Sequence, residues 1–182
     1  MKLILASILF VIFGDAAFTE VNVNRKRLNK EIENRFHLSG FDLRKTEISK
    51  TAPGNNETGI FWNIESKNET IGFVYTGRVF SCSKNGCTVG QSSMNGENAE
   101  FFDYFILFDK TKSVTSVVVY NYEATHGQEI TAKGWLKQFA GFNGSRNLVV
   151  GKNIDSISGA SISVNAITDD IARKTALLKN LN

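Results

Sequence analysis

The sequence predicts a single α+β domain, a mainly antiparallel twisted sheet with an N-terminal helix and a C-terminal helix packed on it. Three observations carry this expectation. β-branched and aromatic runs separated by short polar turns fill the middle of the chain, long helical periodicity sits at its two ends, and strands do not alternate with helices in the way that builds parallel sheets. With 182 residues, 42% hydrophobic and 21% charged, the chain has the composition of an ordinary globular protein and the length for one core. A single proline and fourteen phenylalanines point to a compact, aromatic-rich interior. The net charge of +3 is too small and too dispersed for a nucleic-acid surface.

Residues 1–16 read as an export signal and not as part of the fold. Lys2 gives a positive start, Leu3 to Phe13 is apolar apart from Ser7, and Gly14-Asp15-Ala16-Ala17 offers small residues for cleavage after Ala16. Eleven residues at ~1.5 Å each cover about half of a ~30 Å hydrocarbon core, which favours a cleaved signal over an uncleaved anchor. With no cysteine at the cleavage site, a lipoprotein anchor is not expected. The protein is therefore expected outside the cytoplasm, in a periplasm or cell envelope or secreted.

Residues 17–57 form a helix and lead-in. Leu28, Ile32 and Phe36 recur every four residues from Asn24 to Phe36, and Ser39-Gly40 is the expected stop. A first strand is expected over Phe41 to Ile48, followed by the turn cluster Thr51 to Asn56. Residues 58–182 hold the rest. Ile60 to Glu65 and Thr70 to Thr76 flank a polar turn and read as a hairpin, which Arg78-Val79-Phe80 extends or follows. Phe101 to Phe108 and Val114 to Tyr122 make a second hairpin rich enough in β-branched and aromatic residues for central strands. Then come a polar connection through Glu123 and Gly127, a short helix around Lys133 to Phe139, a Gly-rich turn and a short strand at Leu148 to Val150. From Ile162 to Leu178 a last helix shows Val164, Ile167, Ile171 and Leu178 on one stripe, with Thr168-Asp169-Asp170 off it.

Cys82 and Cys87 enclose four turn-forming residues. In an oxidising compartment they are a disulfide candidate, with free thiols and a redox pair as the alternatives. Two cysteines and two distant histidines, His37 and His126, do not complete a zinc site, so no metal is expected.

The stretch that carries chemistry is Asp155-Ser156-Ile157-Ser158-Gly159-Ala160-Ser161-Ile162-Ser163, immediately before the last helix. Two readings of it compete. Ser158 or Ser161 caps the helix, its oxygen taking an orphan amide hydrogen. Alternatively Gly159 and Ala160 keep side chains away so that a phosphate reaches the first amides of the helix.

The pattern Asp-x-x-Ser-Gly-Ala-Ser resembles the flavinylation motif of the FMN-binding domain family, found in sodium-pumping quinone reductases and Rnf-type electron-transport subunits. The resemblance extends to Tyr122 to Ile130, similar to the family's Glu-Thr loop, and to Gly134 to Gly141, similar to its tryptophan-to-phenylalanine helix. Phe102 to Asp109 is similar to the strand before them, and in all about residues 58 to 178 are covered. Two departures stand out: Ser161 occupies the acceptor position where threonine is usual, and the loop reads Glu-Ala-Thr-His-Gly, not Glu-Thr-Pro-Gly.

The resemblance implies FMN as cofactor, joined through a phosphoester to Ser161, with Ser163 as a backup hydroxyl. It implies Asp155, Ser158, Gly159 and Ala160 as the rest of the motif, and Glu123, Thr125, Gly127 and Trp135 as further cofactor-binding residues. No acid-base catalytic pair is implied; the domain is an electron-transfer carrier more than a stand-alone enzyme. The implied partners are an FAD-dependent, Mg-using flavin transferase and a redox donor and acceptor whose identity stays open. Trp135, Phe139, Phe142 and Tyr122 are candidates to pack on the flavin ring, each equally readable as core. A reversible FMN or phosphate-ligand module and a secreted structural domain remain the alternative functions.

Overall fold

The computed structural model describes residues 23–46, 59–83 and 99–181. Five strands form one antiparallel sheet in the order of the chain: β1 (Asp42–Lys45), β2 (Ile60–Ser66), β3 (Glu69–Ser83), β4 (Ala99–Asp109) and β5 (Val114–Glu123). Each strand pairs with its sequence neighbour, so the sheet is a meander, as expected for hairpins joined in succession. The helices are α1 (Arg25–Phe36), the single turn α2 (Lys133–Leu136), and α3 (Ser161–Asn180). Short 3-10 turns at Gln128–Thr131 and Lys137–Phe139 bracket α2.

The alternation of side chains along β4 divides the interior in two. Phe102, Tyr104, Ile106 and Phe108 join the larger core, together with Val164, Ile167, Ile171 and Leu178 of α3. Phe105 and Leu107 point the other way, into a smaller core closed by Leu28 and Ile32 of α1. The two long helices therefore cover opposite faces of the sheet, and both faces of β4 are buried. Four aromatic contacts run through the larger core: Tyr122 stacks on Phe102 at 5.8 Å, Phe102 meets Tyr104 at 6.3 Å, Tyr104 meets Tyr75 at 5.8 Å, and Tyr75 meets Phe61 at 4.8 Å.

Helix α1 begins where expected, with the Asn24 side chain accepting from the Arg27 amide at 3.0 Å. It ends at Phe36 as expected, and the stop is made before Ser39-Gly40 by His37, which takes the left-handed conformation at φ 54° while its amide bonds the Glu33 carbonyl. Arg78 to Phe80 extend β3 and do not form a separate strand. The expected strand at Leu148 to Val150 is reduced to one parallel bridge between Val150 and Ile154, closing a turn around Gly151 at φ 81°. The export signal, the end of the first expected strand and its turn cluster, and Cys87 with its expected pairing all lie outside the described residues. No helix among the described residues is long and apolar enough to cross a membrane.

α3 buries a wider stripe than its periodicity indicates. Thr168 and Asp170 are 1% and 3% exposed, and of the three residues expected off the stripe only Asp169 faces solvent. Burial is tolerated because each polar group is satisfied. The hydroxyls of Thr168 and Thr175 donate to carbonyls four residues back, at 2.6 and 2.8 Å. The Asp170 carboxylate accepts from the Tyr104 hydroxyl and from Arg173 at 2.5 Å, and Lys174 stands 3.7 Å away. Lys174, also buried, lies over the Tyr75 ring at 4.9 Å. Burial and the neighbouring Asp170 push the Tyr104 hydroxyl well above its ordinary pKa, so it stays a donor.

Candidate functional site

The site is assembled at the N-terminus of α3 by three pieces of chain: the 155–163 stretch, the loop that leaves β5, and α2. Ile157, Ser158, Gly159 and Ala160 form a turn in which the Ala160 amide donates to the Ile157 carbonyl at 3.1 Å. Gly159 has φ 80°, the value required at the third position of a type II turn, which explains glycine there. Nothing lies within 4 Å of where a side chain at Gly159 would begin, so this approach to the backbone is open. Ile154 and Ala160 are buried in the larger core and hold both sides of the turn to the body of the protein.

Neither serine caps the helix. Ala160 occupies the N-cap position, no side chain accepts from the first turn, and Ser161 is the first helical residue, exposed. The first turn of this 20-residue helix is left without a side-chain cap, and the positive end of its dipole lies beside the exposed Ser161 and Ile162. This open end, beside an unobstructed glycine, fits a phosphate.

Asp155 is gripped through its backbone. The Trp135 indole donates to its carbonyl at 2.9 Å, and its amide donates to Gln138 Oε1 at 2.7 Å. Gln138 in turn donates to the Trp135 carbonyl at 3.0 Å. Trp135 thus touches the motif as expected, though through its N–H group. Of the four aromatic candidates for packing on a flavin ring, Phe139 and Phe142 are buried in the core; Trp135 and Tyr122 are half-exposed.

The loop after β5 is fixed at three consecutive residues. Glu100 on β4 accepts from the Thr125 amide at 3.0 Å and from its hydroxyl, so Thr125 turns toward the strand. The His126 carbonyl accepts from the Tyr122 hydroxyl at 2.5 Å. Gly127, at φ 94°, lies against the helix: a Cβ there would sit 2.8 Å from Ser163 Oγ and 2.9 Å from the Tyr122 hydroxyl. Ser163 is 3% exposed, and its hydroxyl is 2.9 Å from that of Tyr122. Since Tyr122 donates to His126, Ser163 donates to Tyr122. Burial raises the pKa of the Tyr122 phenol; the Ser163 hydrogen bond opposes the rise and the charges of Glu100 and Glu129 add to it. Glu123, at the end of β5, is exposed.

The structure therefore brings Gly127, Tyr122 and Ser163 together with the first turn of α3, and Trp135 together with Asp155. It leaves Ser156, Ser158, Ser161 and Glu123 exposed. Gln138 and Glu100 escaped the sequence reading because polar residues within a short helix and at a strand start carry no periodic signal.

An α+β domain whose sheet supports an uncapped helix end behind an open glycine turn has a geometry that suits a phosphate group. Residues 99–174 match the model of the FMN-binding domain family, a span from the start of β4 to the last turns of α3 that contains every piece of the site. Residues 99–174 are thus similar to this family, and FMN is the cofactor that the match indicates. No curated protein matches the chain.

Proposed function

We propose that the protein is an exported electron carrier that holds FMN through a phosphoester to Ser161. One observation carries the proposal: Ser161 presents an exposed hydroxyl at the open first turn of α3, whereas the hydroxyl of Ser163 is buried and committed to Tyr122. Attachment by an FAD-dependent, Mg-using transferase forms a bond from Ser161 Oγ to the FMN phosphorus and breaks the pyrophosphate of FAD. AMP leaves, and the hydroxyl proton passes to the transferase. The helix amides and the glycine turn then receive the phosphate charge. Bound FMN would supply one- or two-electron transfer, and the protein its position and electrostatics.

Export rests on the reading of residues 1–16, and the redox donor and acceptor are other molecules. The intact mass of the protein coexpressed with a flavin transferase is expected to rise by one FMN unit and to lose that increment in Ser161→Ala. An unmodified wild type under those conditions sinks the covalent attachment. The open helix end also suits reversible FMN binding, in which case denaturation would release a yellow cofactor and leave the protein mass unchanged.

A further inference from the structure

Tyr122 joins two parts of the site that are distant in sequence. Its hydroxyl donates to the His126 carbonyl at 2.5 Å and accepts from Ser163 at 2.9 Å, tying the loop after β5 to the first turn of α3. The ring cannot swing freely, because it stacks on Phe102 with an interplanar angle of 8°. Gly127 closes the arrangement, since its missing side chain is what lets the loop lie against both hydroxyls. A second anchor, Thr125 to Glu100, fixes the same loop from the sheet side.

Resting on the attachment at Ser161, we infer that Tyr122 and Ser163 are positioning residues for the bound flavin. Their hydrogen-bonded pair fixes the 125–127 loop against the first turn of α3, the turn that also carries the attachment residue, so that the tethered ring meets one fixed surface. Ser163 is accordingly a strut and not a second acceptor. The pair acts on the loaded protein and not on loading itself, because the acceptor hydroxyl of Ser161 makes no bond to either residue among the described contacts.

The test uses the full chain coexpressed with a flavin transferase, with the FMN mass increment verified for each sample. Tyr122→Phe keeps the stack on Phe102 and removes both hydrogen bonds. Ser163→Ala removes one and leaves Tyr122 bonded to His126. Tyr120→Phe, which loses a hydroxyl on the opposite face of the sheet, is the control.

Expected is full loading in all three, with loss of most of the flavin's visible circular dichroism and a rise in its fluorescence in Tyr122→Phe. A smaller change of the same sign is expected in Ser163→Ala, and none in the control. Loaded Tyr122→Phe and Ser163→Ala with wild-type spectra would overturn the inference and leave the attachment standing. A FMN increment that persists in Ser161→Ala and maps to Ser163 would overturn it as well. A wild type that takes up no FMN overturns the attachment, and the inference with it.

Discussion

The two long helices begin in opposite ways. At α1 the Asn24 side chain accepts from the Arg27 amide at 3.0 Å, closing the helix end on the protein's own oxygen. At α3 the equivalent position is Ala160, buried and without a capping oxygen, although serines stand on either side of it. Their seats differ too. Two aliphatic residues, Leu28 and Ile32, are the buried residues of α1, whereas α3 adds Thr168, Asp170, Lys174 and Thr175 to its apolar stripe. The contrast separates a helix end built for stability from one kept open. α3 forgoes about 1 kcal/mol of capping, and its many buried contacts farther along the helix offset that loss.

The strongest way to break the comparison is to remove what anchors α3. Asp170→Ala leaves Lys174 and the Tyr104 hydroxyl buried without their carboxylate, and urea unfolding is expected to show a loss of about 3 to 5 kcal/mol. The matching change under α1, Ile32→Ala, opens a cavity in the smaller core and should cost about 2 to 5 kcal/mol by the same measurement. Because α1 lies on the sheet face away from Ser161, loading with FMN at temperatures where this variant stays folded is expected to match wild type.

Alkaline pH probes the same anchor more gently. The folded state raises the pKa of Tyr104 through burial and Asp170, so the phenol keeps its proton when the unfolded chain, near the ordinary value of about 10, begins to lose it. The stabilisation is fully present below that pH and is lost as pH rises above it, at up to about 1.4 kcal/mol per pH unit for one proton. Tyr104→Phe should flatten this part of a stability-against-pH curve, and an unchanged slope would count against the assignment.

The smallest effects sharpen the difference between the helix ends. Asn24→Ala is expected to cost about 1 kcal/mol. Ser161→Ala, which removes no capping bond, should stay within about 0.5 kcal/mol of wild type in the protein without FMN. A Ser161→Ala loss as large as that of Asn24→Ala would show that Ser161 caps α3 after all.

Much of the fold was legible because its signals are local. The stripe of Leu28, Ile32 and Phe36, the two hairpins with their polar turns, and the Val164 to Leu178 repeat each depend on a few neighbouring residues, and all three appear as expected. The strand expected at Leu148 to Val150 does not form, because three apolar residues do not say whether an edge is available to pair with; here Val150 makes a single bridge to Ile154 across the turn at residues 151–153. The apolar periodicity of α3 leaves Asp170 off the buried stripe, and its burial follows from partners that periodicity does not show: Tyr104 from β4 across the core and Lys174 one turn on in the same helix.

For the site, the sequence by itself determined the order of the pieces: a loop after β5, an aromatic turn, a glycine turn and a helix whose first residues are small and hydroxylic. That order sufficed for the resemblance, and the match over residues 99–174 agrees with it. What the four hydroxyls of the stretch do was decided only in three dimensions. Burial and the Tyr122 hydroxyl commit Ser163, while Ser156, Ser158 and Ser161 remain in solvent with Ser161 alone on the open turn. The physical reason is that a hydroxyl is equally able to cap, to brace or to react. Which of these it does depends on partners such as Tyr122 and Gly127, which lie far from it in the chain and meet it only once the sheet is formed.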